Sequence, residues 1–125
     1  MKGGTHLSIS ESLKRGTVDL LLLSLLQEKD MYGYQLSQEL ASRSGGLYTM
    51  PEGSMYPTLY RMLEKGLVSD RRETIGKRRV RVYYHLEPAG KEYLEAIRRE
   101  YFSMNQGIMK VLESSIQTET EENLE

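Results

Sequence analysis

The chain contains no cysteine and no tryptophan, a single phenylalanine and three prolines. Without cysteine there are no disulfides and no thiolate metal ligands, which suits a reducing compartment. No apolar run approaches the roughly 20 residues that span a bilayer. The N-terminus MKGGTHLSIS also lacks the apolar centre of a secretory signal, and a cytoplasmic protein without a membrane partner is expected. The two histidines, His6 and His85, stand apart, and there is neither a Gly-rich phosphate loop nor metal-ligand spacing. No enzyme, metal or cofactor is therefore expected.

What is present is an uneven distribution of charge behind a net charge of -1. Arg61, Lys65, Arg71, Arg72, Lys77, Arg78, Arg79 and Arg81 face only Glu64, Asp70 and Glu73 within residues 61–81, a local excess of five positive charges. From Glu113 onward there are five glutamates and no Lys or Arg. Such asymmetry fits a polyanion-binding face remote from an acidic tail, or else a solvated strand face that keeps the protein soluble.

The periodicities divide the 125 residues into four stretches. Residues 1–10 carry no periodic signal and are expected to form a flexible arm. Residues 11–87 read as one domain. Its first helix starts at Ser10 or Ser12, either of which can cap it, and runs to Gln27. Val18, Leu21, Leu22, Leu25 and Leu26 give that helix an apolar stripe too wide for one covered side. Lys14 and Arg15 lie outside the oily run and are candidates for phosphate contacts. A second helix begins at Gly33, turns Leu36 and Leu40 inward and ends at residues 44–46. Leu47, Tyr48 and Thr49 are expected to form a short strand beside a later hairpin. A third helix starts near residues 51–54, buries Met55, Leu59, Met62 and Leu63, and stops at Gly66. Pro57 is expected in its opening turn, where a missing N–H costs little. The period then changes to two. Residues 67–73 and 79–86 read as antiparallel strands turning at Gly76, with Val80, Val82, Tyr84 and Leu86 on one face and Arg79, Arg81, Tyr83 and His85 on the other.

Pro88 opens a last helix over residues 88–116, followed by an acidic tail, residues 117–125, expected to be disordered. Leu94, Ile97, Tyr101, Met104, Ile108 and Val111 recur at spacings of 3 and 4, the seam of a coiled-coil-like partner. A helix of about 25 residues is roughly 38 Å long and overhangs so small a core, which a homodimer resolves. Leu21, Leu22 and Leu25 together with Tyr101, Phe102 and Met104 are candidates to line a site for a small aromatic effector. The bland reading of the same residues is that they fill the dimer core.

The order helix, helix, helix, strand, strand, helix is mainly α with a small β-wing: a winged helix-turn-helix with a long C-terminal dimerisation helix. In that arrangement the third helix enters a major groove of double-stranded DNA, and Ser54, Tyr56, Thr58, Tyr60 and Arg61 are left outside to read it. Lys77, Arg78 and Arg79 at the hairpin tip reach backbone or minor groove. The rival is a winged helix used for contact with an acidic protein partner, without sequence-specific DNA binding.

The stretches LLLSLL, YGYQLSQEL, SGGL, EGSMYPTLYRMLEKGLV, GKRR and VYYHLEPAGKEYL together resemble the PadR family of bacterial transcriptional regulators, over about residues 15–112. The resemblance implies a dimeric DNA-binding repressor on a pseudopalindromic operator, with Ser54 and Tyr56 on the recognition helix and Lys77 and Arg79 on the wing. It implies the smaller subgroup, which dimerises through its first and last helices. The chain departs from the family pattern at Pro51 and Glu52, where a serine usually caps the helix, and in a wing about two residues longer.

Overall fold

The computed structural model describes residues 9–124, which form five helices and three strands in two compact units that divide after Leu94. Helices α1 (Ile9–Lys14), α2 (Val18–Glu28), α3 (Gly33–Arg43) and α4 (Glu52–Glu64) alternate with β1 (Met31–Tyr32), then β2 (Val68–Ile75) and β3 (Arg79–Leu86) precede α5 (Pro88–Leu124). The sheet is antiparallel in the order β1-β3-β2, with Tyr32 opposite Tyr83 and Ile75 opposite Arg79.

The core follows the helical periodicity. Leu22, Leu23, Leu25 and Leu26 of α2, Leu36 and Leu40 of α3, and Met55, Leu59 and Met62 of α4 are buried, joined by Met31, Val68, Tyr84 and Leu94. Each fully buried side chain of this size stabilises the fold by roughly 1.5–3 kcal/mol. The burial of both Leu22 and Leu23 shows that α2 is covered on more than one side, as its composition requires.

Five details differ from the sequence reading. The first helix is two: Gly16 adopts a left-handed φ of 89° between α1 and α2. That is a glycine conformation, and it breaks the α-helical ladder. Ser10 and Ser12 accordingly lie within α1, and Thr17 stands at the N-cap of α2; of the expected arm, residues 1–8 lie outside the described residues. The third strand is Met31–Tyr32, not Leu47–Thr49. The backbone of that linker is already engaged, since Lys14 donates to the Leu47 carbonyl, the Tyr48 N–H to Ser44 Oγ at 2.9 Å, and Ser37 Oγ to the Met50 carbonyl at 2.7 Å.

Pro57 stands beyond the opening turn, because α4 already begins at Glu52. The missing bond is therefore the one to the carbonyl of Gly53, which is exposed and able to meet water. The last helix continues through Leu124 instead of ending near Ile116, as residues 117–124 contain neither glycine nor proline to stop it. Finally, Leu94 is fully buried in the first unit, so it is a core residue rather than part of an exposed seam. Gly90 explains this close docking: a Cβ there would lie 2.0 Å from the Leu67 carbonyl oxygen.

Candidate nucleic-acid interface

Helix α4 separates its faces by spacing. Met55, Leu59 and Met62 point into the core, while Ser54, Tyr60 and Arg61 are exposed and Tyr56 and Thr58 half-buried. The helix begins without a side-chain cap on Pro51, whose carbonyl accepts from the N–H groups of Ser54 and Met55. The positive end of a helix with a serine hydroxyl beside it suits a phosphate oxygen. The far end stops at Gly66, φ 71°, with the Leu67 N–H bonded to the Met62 carbonyl at 3.0 Å.

Two tyrosines dominate the exposed side. The rings of Tyr56 and Tyr60 stack at 6.2 Å with 24° between planes. Tyr56 rests on Gly33, where a Cβ would sit 2.9 Å from its hydroxyl oxygen. Behind them Tyr84 is buried, and burial, followed by the neighbouring Tyr56, Tyr60 and Asp70, pushes its phenol up to about 12. Arg61 is not pointing freely outward. Its Nη2 donates to both oxygens of Asp19 at 2.7 and 2.9 Å, tying the last turn of α4 to the first turn of α2.

The wing extends from the core as its apolar face fades, from Tyr84 buried through Val82 half-buried to Val80 54% exposed. Gly76, φ 67°, makes the turn, and Lys77, Arg78 and Arg79 at the tip are all exposed. None of these three forms an ion pair with another described residue. The rest of the basic stretch is partly neutralised: Arg71 pairs with Asp30 and, at 2.8 Å, with Glu73. Of the two N-terminal cations, Arg15 is exposed, but Lys14 is turned to the Leu47 carbonyl and the Tyr48 ring, 5.2 Å from its centroid. Thr17 and Tyr48 share a hydrogen bond of 2.5 Å at the same place. Lys14 is thus engaged in fixing the α3–α4 connection.

A cleft of about 280 Å³ between α2 and α3 has Leu21, Leu25, Leu40 and Tyr48 among its lining residues. Arg43 sits at this cleft and is bonded to Glu28 at 2.5 and 2.9 Å and to Glu39 at 2.9 Å. Its hydrogen bond is the main reason that the Glu28 carboxyl titrates below its ordinary value. Leu22 does not line this space, being wholly inside the core. In the second unit Ile97 and Tyr101 are half-buried, and Phe102, Met104, Ile108 and Val111 exposed. Met109, Leu112 and Ile116 are exposed too, a second apolar row at spacings of 3 and 4, with Phe102 one heptad before it. The sequence reading missed this row and two acidic anchors, Asp19 and Asp30; the row was visible in the spacing, whereas the anchors pair with residues about 40 or more positions away.

Three helices packed over a hairpin with a cationic tip define a winged helix-turn-helix protein. Comparison with known proteins agrees. The model of the transcriptional regulator PadR-like family matches residues 22–96. A transcriptional regulator of Mycobacterium tuberculosis is 39% identical over 87 residues, covering 69% of this chain and 77% of that protein. A solved transcriptional regulator from Clostridium thermocellum superposes with a TM-score of 0.73 at 30% identity, over 79% of this chain and 96% of that one. The Bacillus subtilis PadR structure in complex with operator DNA shares the fold, with a TM-score of 0.60 at 21% identity over 64% and 45% of the two chains. The chain belongs to the PadR-like family of transcriptional regulators. Among the described residues no helix is long and apolar enough to cross a membrane, and no group of three His, Asp or Glu is placed to hold a metal.

Proposed function

We propose that this regulator is a homodimeric repressor that binds a pseudopalindromic operator through α4 and the wing. The observation that carries the reading is the exposed cationic tip, Lys77, Arg78 and Arg79, which forms no ion pair with a described residue and stands on the same compact unit as the Ser54–Tyr60 side of a recognition helix. The PadR of Bacillus subtilis was solved with operator DNA, which supports the same use of this fold here. Ser54, Tyr56, Thr58 and Tyr60 then meet base edges and phosphates, and the tip neutralises flanking backbone. Arg15 is an additional phosphate contact.

The exposed double row on α5, Met104, Ile108 and Val111 beside Met109, Leu112 and Ile116, supports self-association, since apolar side chains at heptad spacing seek a matching helix. A C2 dimer presents two recognition helices to half-sites roughly one DNA turn, about 34 Å, apart. Occupancy of such a site where it overlaps a promoter excludes the polymerase without any further contact, so these two surfaces suffice for repression there. Relief by a small aromatic molecule is part of the proposal, with Leu21 and Leu25 of the α2–α3 cleft as its apolar contacts. Selection of bound sites from random duplex DNA tests the reading: enrichment of a two-fold symmetric motif supports it, and recovery of unrelated sequences contradicts it.

A further inference from the structure

We propose that Asp30 is a positioning residue for the wing, fixing the angle at which its cationic tip meets DNA. The proposal rests on the DNA-binding reading above.

Asp30 sits at the corner between α2 and β1, and its carboxylate takes hold of both wing strands. One oxygen accepts from Arg71 Nη1 of β2, and the other lies 2.7 Å from His85 Nδ1 of β3. Burial pushes the Asp30 carboxyl up, but the bonds from His85 and Arg71 outweigh it and hold the group below its ordinary value. Arg71 in turn donates to Glu73 at 2.8 Å and covers the Tyr83 ring at 5.0 Å. Tyr83 meets Tyr32 edge-on at 5.4 Å, and Arg81 lies 4.3 Å over Tyr32. The segment Asp30, Met31 and Tyr32 therefore makes ties to the outer face of the hairpin at two levels, ionic at Asp30 and cation–π at Tyr32.

The wing needs such an anchor. β1 pairs with only two residues of β3, and beyond them the hairpin strands are paired only with each other. An isolated two-stranded hairpin is marginal in water. From Arg71 to Lys77 the lever is about 20 Å, so a tilt of about 10° at the base moves the tip by about 3 Å, enough to lose a hydrogen-bonded phosphate contact. A carboxylate on a DNA-facing unit opposes a polyanion by its charge. Its removal has opposite consequences under the two explanations: charge alone strengthens binding to any duplex, whereas loss of an anchor weakens binding to the correct one.

The test uses the full chain, the duplex selected by the wild-type protein, and a random duplex of equal length. For Asp30→Asn the expected result is an affinity for the selected duplex about tenfold lower, with random-duplex affinity unchanged or higher, and partial recovery in Asp30→Glu. Amide hydrogen exchange of the free protein is expected to speed up in β2 and β3 and not in α2 or α3. Unchanged affinity for the selected duplex, a rise on both duplexes, or equal losses on both overturn the proposal. Should Asp30→Asn fail to fold, Asp30→Glu, which keeps the charge but shifts the carboxylate, is read instead: lower affinity for the selected duplex with no change on the random one supports the anchor, and no change on either overturns it. A wild-type chain that selects no duplex overturns the DNA-binding reading itself, whereas a selective wild type with an indifferent variant overturns only the role of Asp30.

Discussion

Arg61 and Asp19 form a two-oxygen ion pair, 2.7 and 2.9 Å, that fastens the end of the recognition helix to the start of α2. By sequence Arg61 is a reader of DNA; by structure its guanidinium already has a partner. Exposed pairs of this kind stabilise a fold by only about 0–1 kcal/mol, so the tie orients α4 more than it holds the protein together. If that is its use, Asp19→Asn and Arg61→Met each lower operator affinity, and the double variant is no worse than either alone. Affinities from a double-mutant cycle decide it: loss on Arg61→Met with none on Asp19→Asn returns Arg61 to the DNA.

Gly33 offers a second handle on the recognition face. A methyl at this position lies 2.9 Å from the Tyr56 hydroxyl and 3.3 Å from its ring, so Gly33→Ala must displace the tyrosine. The displaced atoms are the far end of a side chain, and the expected stability change is below about 1 kcal/mol. Operator affinity should nonetheless fall several-fold, by about as much as in Tyr56→Ala. Thermal unfolding and binding measured on the same samples separate the two effects. Undiminished affinity removes Tyr56 from the contact surface.

Tyr84 gives the fold a signature in alkali. Its folded value of about 12 lies above the ordinary 10.0, so the neutral phenol is favoured in the folded state. The stability that it contributes is fully present below pH 10 and is lost as pH rises from there through about 12. Chemical denaturation across that range should show a decline that is shallower in Tyr84→Phe. Equal slopes for the two proteins contradict the burial of this hydroxyl beneath Tyr56 and Tyr60.

Self-association is tested at Ile108, which is 47% exposed in the chain and lies within the double apolar row of α5. Ile108→Asp places a charge where a partner helix would bury it, at a cost of several kcal/mol in a dimer and almost none in a monomer. The wild type should sediment as a dimer and the variant as a monomer with unchanged helicity. A variant that remains dimeric moves the interface elsewhere.

The legible parts of this molecule were those set by local pattern. Helical spacing marked Met55, Leu59 and Met62 as buried, with Leu63 only half-buried, alternation ordered β3 from Arg79 to Leu86, and Gly66 and Gly76 marked a helix stop and a turn. Four features escaped because they depend on distance or competition. The split of the first helix depends on the left-handed φ of Gly16, which periodicity alone does not reveal. Leu47, Tyr48 and Thr49 have strand-forming residues, but side chains of Lys14, Ser37 and Ser44 take up the linker backbone first. Leu94 fits the heptad as well as Ile108 does, yet Gly90 lets the first turns of α5 sink onto Leu67. Arg61 and Arg71 read as free cations because Asp19 and Asp30, their partners, lie some 40 residues upstream.

The salt dependence of operator binding tests the DNA-binding role of the wing most directly. Each phosphate neutralised contributes about -0.9 to the slope of log K against log salt. In Lys77→Ala with Arg78→Ala that slope should become shallower by up to about two phosphate equivalents, with weaker binding to selected and random duplexes alike. A slope and affinity identical to those of the wild type would show that the cationic tip does not touch DNA.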